Sequence, residues 1–261
     1  MVFHAFGHTD KGPVRTSNED CFAVDEGLQL CVVADGMGGH NAGEVAARLA
    51  VSRLYDTIRG RSTAESRDPE APLWPFGFDT SASYAANCLA TAVRVANADI
   101  LKESLTTTEY SGMGTTVVAS LLSQDRLTVA HVGDSRFYLL SDLGLQLLTR
   151  DDSWAVEVLE SEGAIDPAVI RHHPMRGALT NVVGTRPYLD VHVKEMALTG
   201  GELFLLSTDG VHGVLDDEWL ERLLTRTADL RETAEGIVEA ALARGSRDNC
   251  TAVVARYATD D

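Results

Sequence analysis

Four acidic residues in this chain sit where short apolar runs stop or start, and three of them stand beside a glycine. Leu30-Cys31-Val32-Val33-Ala34 runs into Asp35-Gly36, and Val129-Ala130-His131-Val132 runs into Gly133-Asp134. Phe204-Leu205-Leu206-Ser207-Thr208 runs into Asp209-Gly210, while Asp248 precedes the run Thr251–Tyr257. A single Asp-Gly at a strand end is an ordinary turn. Four such ends place several carboxylates together if the strands share sheet ends. A like-charge pair ~4 Å apart then costs on the order of 4 kcal/mol at an effective dielectric of ~20. Either some of them hold protons or a cation sits among them. Hard carboxylate oxygens suit Mg²⁺ or Mn²⁺, and glycine leaves its backbone carbonyl open to a ligand. Ahead of the first of these strands, Arg15-Thr16-Ser17-Asn18-Glu19-Asp20 offers a guanidinium able to clamp a phosphate dianion. Taken alone, that hexapeptide reads first as a surface ion pair.

Rigid elements must stand behind such groups. Val, Leu and Thr over strand-like lengths predict strands at Leu28–Ala34, Thr115–Leu122, Leu127–Val132 and Arg136–Leu140. Leu189–Met196, Leu203–Ser207 and Thr251–Tyr257 read the same way. Ser123-Gln124-Asp125 and Thr199-Gly200-Gly201 are hairpin signals. Helical periodicity covers Gly43–Ile58, Ser81–Leu101, Asp217–Thr227 and Arg231–Arg244, and Asp166-Pro167 opens a short helix ending near Pro174. Two blocks of helices around hairpin-linked strands favour antiparallel sheets with helices outside. Gly60–Thr80, with Asp68-Pro69, Pro72 and Pro75, reads as a surface loop. Residues 151–181, with the Arg171-His172-His173-Pro174 cluster, read as a mobile cap or an ordinary helical excursion.

Composition narrows the function. The chain has 261 residues, enough for a core needing no staples, and carries 22 Lys+Arg against 39 Asp+Glu, a net charge of -17. That balance speaks against a nucleic-acid stripe or a polybasic membrane face. No apolar run reaches the ~18 residues of a membrane helix, and the first residues carry no secretory pattern. Cys21, Cys31, Cys88 and Cys250 are scattered, as reduced thiols in a cytoplasmic protein are. None starts a Cys-x₅-Arg phosphate loop, which counts against a thiol phosphatase.

In order, the chain holds Arg-x-x-Asn-Glu-Asp (15–20), Val-Ala-Asp-Gly-Met-Gly-Gly-His (33–40), Gly-Met-Gly-Thr-Thr (112–116) and His-Val-Gly-Asp-Ser-Arg (131–136). Leu-Thr-Arg-Asp (148–151), Ser-Thr-Asp-Gly (207–210) and Arg-Asp-Asn (247–249) follow. This set resembles the metal-dependent Ser/Thr protein phosphatases of the type 2C group, in their bacterial form. The resemblance implies one catalytic domain over 1–261, an α-β-β-α sandwich of two mainly antiparallel sheets flanked by helices, with a flap subdomain at about 151–181. It implies two tightly bound Mn²⁺ or Mg²⁺ ions and a third, weaker one. By motif position Asp35 bridges the pair and the Gly36 carbonyl binds the second ion. Asp209 and Asp248 hold the first, Glu19 and Asp20 act through water, and Asp134 shares the third with Asp209. Arg15 takes the substrate phosphate. The implied reaction is direct attack of a metal-bridging hydroxide on phosphoserine or phosphothreonine, without a phosphoenzyme. The implied partners are phosphorylated proteins and the kinases that make them; a cytoplasmic monomer is expected.

Two departures stand out. Eukaryotic members carry a His directly after Asp-Gly where this chain has Met37, and His40 reads as a loop-packing residue. Where members often read Asp-His-Ser, this chain has Asp151-Asp152-Ser153. His131 reads as a core residue, or one behind the ligands, rather than a ligand. For Asp134 the competing reading is a turn residue paired with Arg136. A pseudophosphatase, the same fold as a regulatory binding module, is the main rival; the complete set Asp35, Asp209 and Asp248 speaks against it. A nucleotide-binding reading of Gly36–Gly43 lacks the Gly-Lys-Ser/Thr ending of a P-loop.

Overall fold

The computed structural model describes residues 2–39, 42–61, 70, 72–162, 169, 173–175 and 177–258. Its strands are β1 (Val2–Asp10), β2 (Asp20–Asp25), β3 (Leu30–Met37), β4 (Gly114–Thr115), β5 (Val117–Ser123) and β6 (Arg126–Val132). They continue with β7 (Arg136–Ser141), β8 (Gly144–Leu147), β9 (His192–Ala197), β10 (Leu203–Ser207) and β11 (Cys250–Ala258). One sheet has the order β1-β11-β10-β7-β8; the other runs β2-β3-β5-β6-β9, with the short β4 paired to β3. Every pairing is antiparallel, as the hairpin signals predict.

Period-two alternation explains the layering. Along β3, Cys31 and Val33 point between the sheets, where they meet Val118, Leu127, Phe137, Phe204, Leu206 and Val253. Leu30, Val32 and Ala34 point the other way, onto α1 (Ala42–Gly60) and α2 (Tyr84–Thr106). Along β11, Val253 and Ala255 face the other sheet. Ala252 and Val254 face the helices α5 (Asp217–Thr225) and α6 (Leu230–Ala243). Two further helices are α3 (Trp154–Glu162) and the single turn α4 (Asp209–His212). Burying a Val or Leu side chain stabilises by about 1.5–3 kcal/mol, so strands apolar on both faces hold the sandwich together. The outer helices start on side-chain caps: Ser83 accepts from the Ala86 amide, Asp216 from Trp219, and Asp229 from Arg231 and Glu232.

The structure corrects three local readings. Thr199-Gly200-Gly201 does not close a hairpin, because β9 and β10 lie in different sheets. The Glu202 carboxylate instead accepts from the Thr199 and Gly200 amides and makes a tight crossover. The first residues form the nine-residue strand β1, where no strand is expected from sequence. In the 60–80 stretch Trp74 is buried, edge-on to Phe78 and Tyr84, so part of that segment belongs to the core under α2. His40, Asp68-Pro69, the helix start at Asp166-Pro167, and Arg171-His172 lie outside the described residues.

Candidate metal centre

Five aspartates from five separate segments meet at one end of the sandwich. Asp20 opens β2 and lies directly opposite Asp35 on β3, so the β2–β3 register alone sets two carboxylates side by side. Asp134 stands in the turn between β6 and β7, Asp209 opens α4, and Asp248 precedes β11. Asp35, Asp134, Asp209 and Asp248 line a cleft of about 300 Å³ together with Arg15, Glu19 and Gly36. The structure thus brings Arg15, Glu19, Asp35, Gly36, Asp134, Asp209 and Asp248 to one cleft, with Asp20 beside Asp35 on the neighbouring strand.

The backbone around Asp35 is held by hydroxyls. The Asp35 amide donates to Thr116 Oγ1 (3.0 Å), while the Thr116 amide and Thr115 Oγ1 both donate to the Asp35 carbonyl (2.8 Å each). Thr116 Oγ1 is also 2.7 Å from Ser135 Oγ, which ties the β3 end to the Gly133-Asp134 turn. Gly36 has no room for a side chain: a Cβ there would stand 2.0 Å from the Gly43 carbonyl oxygen. Gly210 is equally tight, 1.9 Å from the Asn249 carbonyl oxygen, which seats Asp209 against Asp248-Asn249. Asn249 closes the arrangement from the other sheet. Its Nδ2 donates to the carbonyls of Lys11 and Ser17, and its Oδ1 accepts from the Glu19 amide.

The electrostatics follow from this crowding. Asp20 is buried, and its Oδ2 accepts from Thr251 Oγ1 (2.6 Å) and Thr208 Oγ1 (2.9 Å), both of the other sheet. Its Oδ1 is buried with no hydrogen-bond partner. Burial, with Asp209 and Asp248 adding repulsion, pushes the Asp20 carboxyl up to about 7. Asp35 is raised well above the usual carboxylate range, by loss of water and then by Asp20, Asp209, Asp134 and Asp248. Asp209 opens into the cleft, yet loss of water around it and the neighbouring Asp248 raise it too. Asp134 is pushed up to about 7, by burial first and then Asp209. Glu19 is raised by partial burial. On the opposite side, Arg15 Nη2 donates to Asp248 Oδ2 at 2.6 Å, and this bond holds the guanidinium above its ordinary value. Arg136 pairs bidentately with Asp151 (3.0 and 2.8 Å) rather than with Asp134.

The donor chemistry fits a hard divalent cation. The cleft offers carboxylates, an orphaned buried oxygen beside them and the Gly36 backbone, and no thiolate. Cys250 lies behind it, its thiol 3.3 Å from the Gly210 carbonyl and held up at about 11 by burial. Among the described residues no three His, Cys, Asp or Glu side chains enclose a single ion position by themselves. An ion held here would need carbonyl or water oxygens as well, as hard divalent cations accept. His131 is a core residue: Nε2 lies 2.9 Å from the Arg150 carbonyl, and burial lowers its pKa. Thr116, Ser135, Thr208, Thr251 and Asn249 receive no individual role from sequence. Ser135, Thr208 and Asn249 flank an aspartate and Thr251 sits three residues from one, and that spacing is the signal available for them; Thr116 has no aspartate near it in sequence.

Comparison with known proteins adds a lineage to this geometry. The family profile of protein phosphatase 2C matches residues 13–244. The serine/threonine protein phosphatase PstP of Mycobacterium tuberculosis is 35% identical over 260 residues, which is 98% of this chain and 45% of that protein. The chain thus spans about half the length of that relative. The serine/threonine phosphatase stp of Listeria monocytogenes is 31% identical over 254 residues, 96% of this chain and 94% of the relative. A crystal structure of the catalytic domain of PstP in complex with two manganese ions superposes with a TM-score of 0.80 at 31% identity, covering 99% of both chains.

Proposed function

We infer the activity from one premise: the chain belongs to the protein phosphatase 2C family. It is a metal-dependent phosphoprotein phosphatase that hydrolyses phosphoserine and phosphothreonine monoesters. The observation that carries this reading is the convergence of Asp20, Asp35, Asp134 and Asp209, all with raised proton affinities, and of Asp248 beside them, around an unpartnered buried oxygen. Asp35, Asp209, Asp248 and the Gly36 carbonyl hold two Mn²⁺ or Mg²⁺ ions, Glu19 and Asp20 act through water, and Asp134 with Asp209 takes a weaker third. Bound there, such ions supply Lewis acidity toward phosphoryl oxygens and bring the pKa of bound water toward neutrality.

The protein's own groups do the rest. Arg15 orients the phosphate from the β1–β2 side, and its bond to Asp248 uses one nitrogen of a five-donor group. Thr116 and Ser135 fix the spacing between the Asp35 and Asp134 backbones. Gly177 and Leu179 wall the cleft from the 151–181 segment, which we read as a flap toward the protein substrate. The four cysteines are free, in keeping with a cytoplasmic setting; among the described residues no helix is long and apolar enough to cross a membrane. Phosphorylated proteins, and the kinases that produce them, are the partners this reading implies.

The test is turnover of a phosphothreonine peptide and of p-nitrophenyl phosphate. Mn²⁺ should support both, and chelation should abolish both. Undiminished activity after exhaustive chelation overturns the reading, and binding without turnover returns the pseudophosphatase. Arg15→Ala should raise KM for the aryl phosphate by about tenfold and lower kcat less, because the guanidinium contacts the phosphate before and during reaction. Steady-state kinetics with both parameters unchanged would return Arg15 to a surface ion pair with Asp248.

A further inference from the structure

We propose that Asp152 is a positioning residue for the Asp134 carboxylate, clamping the Gly133-Asp134 turn from the side away from the cleft. The proposal rests on the reading of Asp134 as a working cleft residue. Asp152 is buried, and both of its carboxylate oxygens are committed. Oδ2 accepts from the Gly133 amide (3.0 Å) and from Asn181 Nδ2 (2.8 Å), and Oδ1 accepts from His192 Nε2 (2.9 Å). Its backbone repeats the grip: the Asp152 amide donates to the Gly133 carbonyl (3.0 Å), and its carbonyl accepts from the Thr180 amide (2.9 Å).

The turn needs that grip. Gly133 has φ +96°, and a Cβ on it would stand 2.7 Å from Thr116 Cγ2, so the turn is pressed onto the β4–β5 junction with no slack. Ser135 and Thr116 hold it from within, and Asp152 holds it from outside. A charged acceptor on a buried amide is a strong, short-range restraint. The same carboxylate reaches Asn181, where the 151–181 segment rejoins the sheet, and His192 at the start of β9. One side chain thus sets the Asp134 turn relative to both.

Asn at 152 can keep this geometry. Its Oδ1 can face Gly133 and Asn181, and its Nδ2 can donate to a neutral His192 that accepts through Nε2. Ala cannot. The experiment compares Asp152→Ala, Asp152→Asn, Asp134→Ala and the double variant Asp134→Ala/Asp152→Ala. Kinetics use p-nitrophenyl phosphate at saturating Mn²⁺, and hydrogen exchange is read over residues 126–140 of the metal-free protein. Expected for Asp152→Ala is a loss in kcat of about tenfold or more, with KM within about twofold and faster exchange across the turn. Asp152→Asn should stay within about threefold of wild type, and the double variant should be no slower than Asp134→Ala alone. Losses that add in the double variant, an Asn variant as impaired as Ala, or unchanged exchange in Asp152→Ala each overturn the proposal. Wild-type turnover by Asp134→Ala instead removes the premise, and with it the proposal. If Asp152→Ala does not fold, Asp152→Ser, too short to reach the Gly133 amide, is read by the same expectations.

Discussion

Asp209→Asn should lower kcat on the order of 10²–10³-fold, the scale seen when one preorganised electrostatic group at a reacting centre is removed. It should also raise the melting temperature of the metal-free protein. The two effects share a cause. Asp209 stands among Asp35 and Asp248 with its proton affinity raised by lost water and by Asp248, so its charge is a liability when no cation is present. Asn keeps the size, removes the charge and leaves the α4 start intact, where the Gly213 amide donates to the Asp209 carbonyl at 2.7 Å. The stabilising response to added Mn²⁺ should shrink in the same variant. Calorimetry with and without Mn²⁺, beside kinetics, reads all three. A variant that keeps wild-type kcat, or that melts lower than wild type in EDTA, contradicts the assignment of Asp209.

The second large effect is on pH. Asp20 and Asp134 are both pushed up to about 7 when folded, while an unfolded Asp titrates near 3.9. Between about pH 4 and pH 7 the folded state therefore holds protons that the unfolded state has released. Stability of the metal-free protein then falls as pH rises through that window and levels off above it. His131 and His212, buried and lowered in pKa, act with the opposite sign below about 6.5, where only the unfolded chain takes up their protons. With raised affinities also at Asp35 and Asp209, the carboxyls outnumber the imidazoles. In EDTA the melting temperature should drop by about 5 °C between pH 5 and pH 8. Asp134→Asn should reduce the drop. Saturating Mn²⁺ should reverse it, because a ligand at 100 times its Kd adds about 2.7 kcal/mol. A melting temperature in EDTA that climbs steadily over the same range is the contrary result.

Much of this architecture is legible in the sequence. Leu203–Ser207 is predicted to the residue, and the strands ending on Asp35 and starting after Asp248 lie within a few residues of their observed limits, because both faces of a sandwich strand are apolar. The glycines beside Asp35 and Asp209 follow from close backbone approach, which sequence hints at and structure measures. β1 was illegible for a physical reason: His4, Gly7 and His8 interrupt its apolar pattern, and pairing with β11 along its whole length supplies what local propensity does not. The crossover at Thr199-Gly200-Gly201 mimics a hairpin because a tight turn chains two strands without saying which sheet takes the second. Asp152 was visible only as a departure from a family pattern; its three partners come from residues 133, 181 and 192, a separation no local rule spans.

Two open sheets also leave four strand edges, on β1, β8, β2 and β9, each a row of backbone groups that another chain could extend. The sequence blunts them one by one. β8 has only four residues, β2 ends on Asp25, β1 sets exposed His4 on its rim, and β9 exposes His192 and Lys194 around Val193. With a net charge of -17 spread over both sheets' surroundings, two copies approaching edge to edge meet charge before they meet backbone. The acidity that burdens the cleft therefore serves the rest of the surface as protection against lateral aggregation, and neutralising Lys194 together with Asp25 should weaken it first at the β9 and β2 edges.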